Sequence, residues 1–478
     1  MNGKGGSGMQ RTVVLNVVGL TAGLIGRHTP RIDAFRKLGA IARVRPAFPG
    51  VTCTAQSDYL TGRPPAEHGI VANGWYNREY AEVHFWKQPD HLVHGPKIWD
   101  EMRKLNPEFT CAKLFWWYNM YSNVEWSITP RPMYPADGRK FFDIYSWPYD
   151  IRQEIKKDLG EFPFAGFWGP SAGVDSIAGK ADCVSRWIAR AAMWIEDRCH
   201  PTLNLVYLPH LDYNLQRLGP DHPDIVRDLS EIDEIVGELL FFFGQRGVEV
   251  MLLSEYGITP VDTPVHLNRL FRRKGWLTLK EELGRELVDF GASRAFSVAD
   301  HQVAHVYLND RSLRKEVRAL LEQTPGVARV LSDTDKIDAG ISHARAGDLV
   351  GVAAENAWFT YYYWDDDDRA PDYARTVDIH RKPGYDPCEL FIDPRLGSGR
   401  LRVARRLLQK RLGFRMLMDV VPLDATLVRG SHGGCPASTD DWPVVVTQKH
   451  YRIPDNEIAS TDVYGIIRDH VLGTKGSV

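Results

Sequence analysis

Residues 46–62, PAFPGVTCTAQSDYLTG, set three threonines among small residues behind two prolines. A threonine hydroxyl is a weak nucleophile at neutral pH and becomes a useful one only beside a base or a metal ion. Without such a partner, Thr52 reads as a turn hydroxyl bonded to its own backbone. Suitable partners stand at the ends of apolar runs: Asn16 in RTVVLNVVGL, Asp212 in LNLVYLPHLD and Glu255 in VEVMLLSEYG. Asp212 has the plainer alternative of capping the helix that follows it. His432 lies between glycines in VRGSHGGCP, and His380 in DIHRKPGYDP has Asp378 and Asp386 close by in sequence. Hydrolase metal centres mix imidazole with carboxylate in this way, although a loop histidine without a partner is the ordinary case.

Other constellations point elsewhere. FSVADHQVAHVYLND brings Asp300, His301 and His305 together. The β-branched VAHVYL favours a strand, on which the two histidines share a face and read as packed residues. WDDDDRAPD at 364–372 looks like a metal cluster, but neighbouring carboxylates diverge, so an exposed turn is expected. NGWYNREY and KLFWWYNMYSNVEW concentrate aromatics and amides, among them Asn73 and Tyr76, and suit stacking of a planar group as well as an internal interface.

The elements that must position these residues alternate. Apolar runs ending in polar residues (11–20, 203–212, 248–257 and 348–364) read as buried strands, and ADCVSRWIARAAMWIEDR, IVRDLSEIDEIVGELLFFFGQRG and RSLRKEVRALLEQ read as helices. Strand and helix in alternation predict an α/β fold, a mostly parallel sheet with helices on both faces. In such sheets ligands bind beyond the carboxyl ends of the strands, where Asn16, Asp212 and Glu255 fall. Residues 120–180, rich in Trp, Tyr, Pro and Gly without clean periodicity, read as an inserted cap. The resulting division is a flexible tail at 1–10, a core at 11–119 and 181–450, a cap at 120–180 and a C-terminal extension at 451–478.

Length and composition fit this plan. The 478 residues are 44% hydrophobic and 25% charged, ordinary for a globular protein, and a net charge of -2 predicts neither a nucleic acid polymer nor an anionic membrane as partner. Six scattered cysteines without a CxxC read as reduced thiols of a cytoplasmic protein. ELLFFFG is far shorter than the roughly 20 apolar residues of a membrane span.

The order of motifs, from strand–Gly-Leu through PAFPGVTCTAQSDYLTGRPPAEHGIVANGWY, HLDYNLQRLGP and LSEYGITP to a late GSHG, resembles the alkaline phosphatase superfamily. It looks most like the type I phosphodiesterase/nucleotide pyrophosphatase branch, which also includes phosphonoacetate hydrolase. The resemblance implies an alkaline-phosphatase-like fold and a hydrolase of phosphoric esters or anhydrides, with a small-molecule phosphate ester as substrate. It further implies Thr52 as the nucleophile and divalent metal, zinc in the family, on ligands matching Asp212, Glu255 and one of His380 or His432.

The match is imperfect at the metal motifs. The first aspartate of the family falls on Val18, leaving Asn16 as the nearby polar ligand. The histidine of Asp-x-x-x-His is Gln216, Asp-His-Gly reads Glu255-Tyr256-Gly257, and the phosphate-binding asparagine falls on Ala55, with Gln56 adjacent. Gln56, Asn73, Tyr76, Gln216 and Tyr256 are the expected substrate-binding residues. Fewer nitrogen ligands favour a harder ion such as Mn²⁺ or Mg²⁺. Two alternatives stay open: a ligand-binding protein that has lost the bimetal chemistry, and a phosphonate or phosphoryl-transfer enzyme of a biosynthetic pathway.

Overall fold

The computed structural model describes residues 8–136, 139–173, 183–414, 416–448, 453 and 456–473. At its centre lies a nine-stranded sheet in the order Glu457–Ala459, Ala40–Arg45, Val444–Thr447, Glu249–Leu253, Thr12–Val17, Leu203–Leu208, Cys111–Leu114, Trp126–Pro130, Ile144–Trp147. Thr12–Val17 pairs parallel with Leu203–Leu208 on one side and Glu249–Leu253 on the other, so Asn16 lies opposite Tyr207 and Leu253. Because the three strands run the same way, their polar ends emerge on one rim. Val444–Thr447 and Ile144–Trp147 are antiparallel to their neighbours, and the rest of the sheet is parallel.

All six residues of TVVLNV are buried, which requires cover on both faces of the strand. One group of helices joins Ile225–Gln245 to Pro30–Leu38, Val184–Cys199 and His210–Leu218, and another joins Val463–Leu472 to Thr52–Thr61 and Ile98–Leu105. Thr52–Thr61 is buried along its whole length, so its first residue, Thr52, is held without a solvent-facing side. Helix and sheet residues close into one large apolar core.

A second unit is inserted between Glu249–Leu253 and Val444–Thr447. Its antiparallel sheet runs in the order Ala295–Asp300, Val303–Leu308, Leu349–Ala353, Val327–Leu331, over a separate core containing Phe271, Phe296, Trp358 and Tyr363. The expected cap therefore lies elsewhere in the chain. Within 120–180, Trp126–Pro130 and Ile144–Trp147 are edge strands of the main sheet, followed by helix Asp150–Leu159. Their prolines and aromatics obscure the strand pattern; residues 174–180 of that range lie outside the described residues. The expected extension at 451–478 likewise holds an edge strand and a helix whose Val463, Ile467 and Val471 enter the main core. Of the tail at 1–10, residues 1–7 lie outside the described residues, and Gln10 N donates to Val471 O at 2.8 Å.

Asp365, Asp366 and Asp368 are exposed in a turn, as their adjacency suggests. All six cysteines are unbridged. Among the described residues no helix is long and apolar enough to cross a membrane.

Candidate functional site

The rim formed by the parallel strands gathers most of the expected residues. Thr52 opens its helix, with Val51 before it still extended. Its Oγ1 lies 3.2 Å from the Tyr256 phenol, which donates to Asp212 Oδ1 at 3.0 Å. With the phenol proton committed to Asp212, the Thr52 hydroxyl is the donor to Tyr256. Asn16 Nδ2 and Gln56 Nε2 both donate to Glu255 Oε1, at 2.5 and 2.6 Å. His432 Nε2 stands 4.0 Å from Asp212 Oδ1, while its Nδ1 meets Gly50 O at 2.7 Å. A carbonyl only accepts, so Nδ1 carries the proton and Nε2 a lone pair.

Three of the expected substrate-binding amides are spent on bracing. Gln56 Oε1 accepts from Trp117 N at 2.7 Å, and Asn73 links Cys53 N (3.0 Å) to Asp300 Oδ1 (3.1 Å). Gln216 donates to Asp212 Oδ2 at 2.9 Å and accepts from the Tyr385 hydroxyl at 2.8 Å. Each amide is occupied at both ends, which fixes the acids and the N-terminus of the Thr52 helix in place.

Two expected residues lie apart. His380 Nδ1 is 3.4 Å from Phe85 O. Tyr76 packs edge-on against Phe296 and Tyr307 in the second core. The structure brings in others instead. Asp300 ends the Ala295–Asp300 strand, and the chain reverses at His301, whose φ is 58°. The reversal separates the two histidines: His305 contacts Val71 O at 3.0 Å and accepts from Gly347 N, while His301 enters the site. His301 Nδ1 contacts Asp300 Oδ1 at 2.7 Å. Both Asp300 oxygens also accept from Asn73. The adjacent Asp-His pair reads in the sequence as packed residues, and Tyr385 stands in Pro383-Gly384-Tyr385-Asp386, where the resembled family has His-Gly-Tyr-Asp.

Four rings form a column through the site. Tyr256 stacks on His432 at 3.5 Å, His432 on His301 at 3.7 Å and His301 on Tyr385 at 3.6 Å. Gly433, at φ 118°, lets the hairpin tip close on the column, since a Cβ there would stand 3.1 Å from Gln302 N. Beyond Tyr385 lie Trp86 at 6.2 Å and, packed on Trp86, Trp117 at 4.8 Å.

Burial dominates the electrostatics. It pushes Glu255 up to about 8, against the pull of its donors Gln56 and Asn16 and of the nearby Thr52 hydroxyl. Burial likewise raises Asp212 to about 6, opposed by Tyr256 and Gln216, and Asp300 to about 6, opposed first by Asn73 N. It drives both His301 and His432 well below the usual imidazole value. Four buried polar atoms of the cluster have no hydrogen-bond partner: Asn16 Oδ1, Glu255 Oε2, His301 Nε2 and His432 Nε2. Buried polar atoms are usually paired, and four unpaired ones stand together here. Two neutral imidazoles with unpaired Nε2 atoms thus lie near carboxylate and amide oxygens, although among the described residues only His210, Asp228 and Glu231 bring three such ligand atoms within 4.8 Å of one another.

Known proteins share this fold and its family pattern. An uncharacterized pyrophosphatase/phosphodiesterase of Schizosaccharomyces pombe is 22% identical over 262 residues, a match covering 54% of this chain and 45% of the relative, so the chain spans about half the length of that relative. Murine ectonucleotide pyrophosphatase/phosphodiesterase 5, solved as an inactive threonine-to-alanine variant with AMP, is similar in fold with a TM-score of 0.57 at 15% identity, covering 98% of this chain and 96% of that one. Phosphonoacetate hydrolase from Sinorhizobium meliloti, solved with phosphonoformate, gives a TM-score of 0.60 at 15% identity over 97% and 96% of the two chains. The type I phosphodiesterase / nucleotide pyrophosphatase description matches residues 12–386. With that match spanning most of its length, the chain belongs to the type I phosphodiesterase/nucleotide pyrophosphatase family of the alkaline phosphatase superfamily.

Proposed function

We propose that this chain is a divalent-cation-dependent hydrolase of small phosphoric esters, with Thr52 as nucleophile. The observation that carries the reading is the hydrogen-bonded run from Thr52 Oγ1 through the Tyr256 hydroxyl to Asp212, set beside the unpaired Glu255 Oε2 and His432 Nε2. Asp212, Glu255 and His432, with Asn16 Oδ1, would hold the cation: zinc by family resemblance, Mn²⁺ or Mg²⁺ by the share of oxygen ligands. The 4.0 Å between His432 Nε2 and Asp212 Oδ1 suits two ligands of one ion. A bound divalent cation supplies charge neutralisation at the phosphoryl group and favours the ionised hydroxyl.

The residues do the rest. Thr52 Oγ1 attacks phosphorus, forming a phosphothreonine as the ester P–O bond breaks and the alcohol leaves; water then hydrolyses the phosphothreonine. The hydroxyl proton leaves along the Tyr256 hydrogen bond toward Asp212. Trp86, Trp117 and Tyr385 flank the site with aromatic surface for the leaving group. The expected substrate contacts at Gln56, Asn73 and Gln216 become braces, and Tyr76 and His380 take no part.

A second reading, a ligand-binding protein without turnover, draws on the two amides already donating to Glu255. Turnover of an aryl phosphodiester with Zn²⁺, Mn²⁺ or Mg²⁺ after chelation separates the two. Thr52→Ala is expected to abolish turnover while leaving cation binding intact. Full metal-dependent turnover by that variant sinks the nucleophile assignment, and wild-type protein that binds cation yet turns nothing over favours the second reading.

A further inference from the structure

We propose that His210, Asp228 and Glu231 form a divalent-cation site of the kind that takes zinc, separate from the Thr52 cluster, and that the bound ion fastens the helix carrying Asp212 to the helix that follows it. The inference does not depend on the function proposed above.

His210 opens the helix His210–Leu218, and Asp228 and Glu231 stand three apart near the start of Ile225–Gln245, a spacing that puts them on one face. One ligand atom from each of the three lies within 4.8 Å of the other two. Among the described residues no other three histidine, cysteine, aspartate or glutamate side chains are drawn so close. Ligands of one zinc ion, each about 2.0–2.2 Å from the metal, stand about 3–4 Å apart, so the closing movement is small. Glu231 is the residue to make it: its side chain is 39% exposed, whereas His210 and Asp228 are buried.

Buried polar atoms are usually paired, and this imidazole keeps one that is not. His210 is 2% exposed, and its Nε2 has no hydrogen-bond partner although Glu231 Oε2 is only 3.2 Å away. A nitrogen and an oxygen that close without hydrogen-bond geometry have the separation of two ligands of one ion. On the other side of the ring, Nδ1 lies 3.2 Å from Cys183 Sγ. A cation on Nε2 needs the ring proton on Nδ1, and the sulfur is placed to accept it; such a support behind a ligating histidine fixes its tautomer and orientation. Asp228 is braced too, since its Oδ2 accepts from Asn214 Nδ2 at 2.6 Å, and Asn214 is held in turn by Arg217. Both braces belong to the helix that His210 opens.

One imidazole nitrogen and two carboxylate oxygens suit zinc, which takes nitrogen and oxygen together, better than Mg²⁺ or Ca²⁺, which take oxygen. Asp212 lies two residues after His210, in the first turn of the same helix. An ion tying His210 to Ile225–Gln245 therefore fixes where Asp212 stands at the rim without touching it. The rival arrangement is an imidazolium between two carboxylates, with no metal.

The test counts cations. The full chain is stripped with chelator and titrated with Zn²⁺ by calorimetry, for wild type, Glu231→Gln, His210→Gln, Cys183→Ala, Cys183→Ser and Glu234→Gln, each checked for fold by circular dichroism. Whatever the Thr52 rim binds, Glu231→Gln and His210→Gln are expected to hold one equivalent fewer than wild type, that site being weakened by about 100-fold or more. Cys183→Ala, which removes the acceptor behind Nδ1, should weaken the same site about 10-fold, and Cys183→Ser, which restores an acceptor, should bring it back. Glu234→Gln, an exposed acid of the same helix beside Arg186, should bind as wild type does. Equal stoichiometry and affinity in wild type and Glu231→Gln overturns the proposal and leaves His210 an imidazolium between two acids. Glu231 is partly exposed, so its variant reads the site even where His210→Gln fails to fold. If wild type binds a single equivalent and Glu231→Gln loses it, this site stands and the cation-dependent reading of the rim falls; if Glu255→Gln loses it and Glu231→Gln keeps it, the reverse holds.

Discussion

Two buried groups of acids in this molecule face opposite fates. Asp386 and Glu389 share Lys382, whose Nζ lies 2.7 Å from one and 2.8 Å from the other, with all three side chains 1% exposed. Asp212 and Glu255 are buried too, yet their partners are amides and a phenol. A buried carboxylate must be compensated by a positive charge, a proton or a metal ion. The first group carries its cation in its own chain and is a structural joint, one that fastens Trp168 and Asp378 N to Glu389. The second compensates with protons until something else arrives, which is why Glu255 is pushed to about 8. A satisfied cluster holds a fold together; an unsatisfied one has a use.

The largest effect should come from unbalancing the joint. Lys382→Met leaves two buried acids without a cation and is expected to lower stability by about 3–5 kcal/mol in urea unfolding. A loss below about 1 kcal/mol would mean that the two groups do not differ as argued.

Next is the pH response of the cation-free protein. Glu255 has a folded value near 8, above the ordinary 4.5, so the folded state holds a proton that the unfolded state releases. Its contribution to stability is complete below about pH 4.5 and is lost as pH rises to about 8. Asp212 and Asp300, raised to about 6, add to the lower part of that window. Melting temperature in chelator should therefore fall across it. Saturating cation should offset the fall, because deprotonated ligands bind more tightly as pH rises. A flat profile in chelator contradicts the assignment.

Glu255→Gln sharpens the contrast at the other group. The amide oxygen can still accept from Asn16 and Gln56, so cation-free stability should change by less than about 1.5 kcal/mol, while divalent-cation affinity falls about 100-fold. Calorimetry beside urea unfolding reads both. A loss of stability matching that of Lys382→Met would make Glu255 another structural joint.

These two groups were not equally legible in the sequence. DIHRKPGYDP, with its histidine and two acids, looked as much like a metal site as SEYG did, because spacing says nothing of what a lysine between them will neutralise. The strand-end positions of Asn16, Asp212 and Glu255 could be read, since parallel neighbours put the ends of apolar runs on one rim. The place of Thr52 at the same rim, 3.2 Å from the Tyr256 phenol, could be read from its motif. That His432 and not His380 lies beside Asp212 could not, because it depends on a loop closing onto Gly50 from 382 residues away. His301 was hidden by a reversal of the chain without the Asn-Gly or Gly-Gly that usually announces a two-residue turn. The aromatic edge strands after residue 120 were mistaken for an insertion because proline and tryptophan blur the alternation by which strands are recognised. The true insertion, built of ordinary strands and helices, gave no compositional warning.

The smallest effect tests the finest part of the contrast, the phenol between the proposed nucleophile Thr52 and Asp212. Tyr256→Phe removes one oxygen and keeps the ring that stacks on His432 at 3.5 Å. Thr52 then loses its acceptor and Asp212 a donor, so the proton path is cut while the cation ligands remain. One net hydrogen bond is worth about 1 kcal/mol, which predicts a similar loss of stability and a fall in kcat of about fivefold to tenfold, with cation affinity close to wild type. A far larger fall in cation affinity would make the phenol oxygen itself a ligand. An unchanged kcat would mean that the Thr52 proton leaves by another route, and the neighbouring Glu255, whose carboxyl also faces the Thr52 hydroxyl, is where that route would have to run.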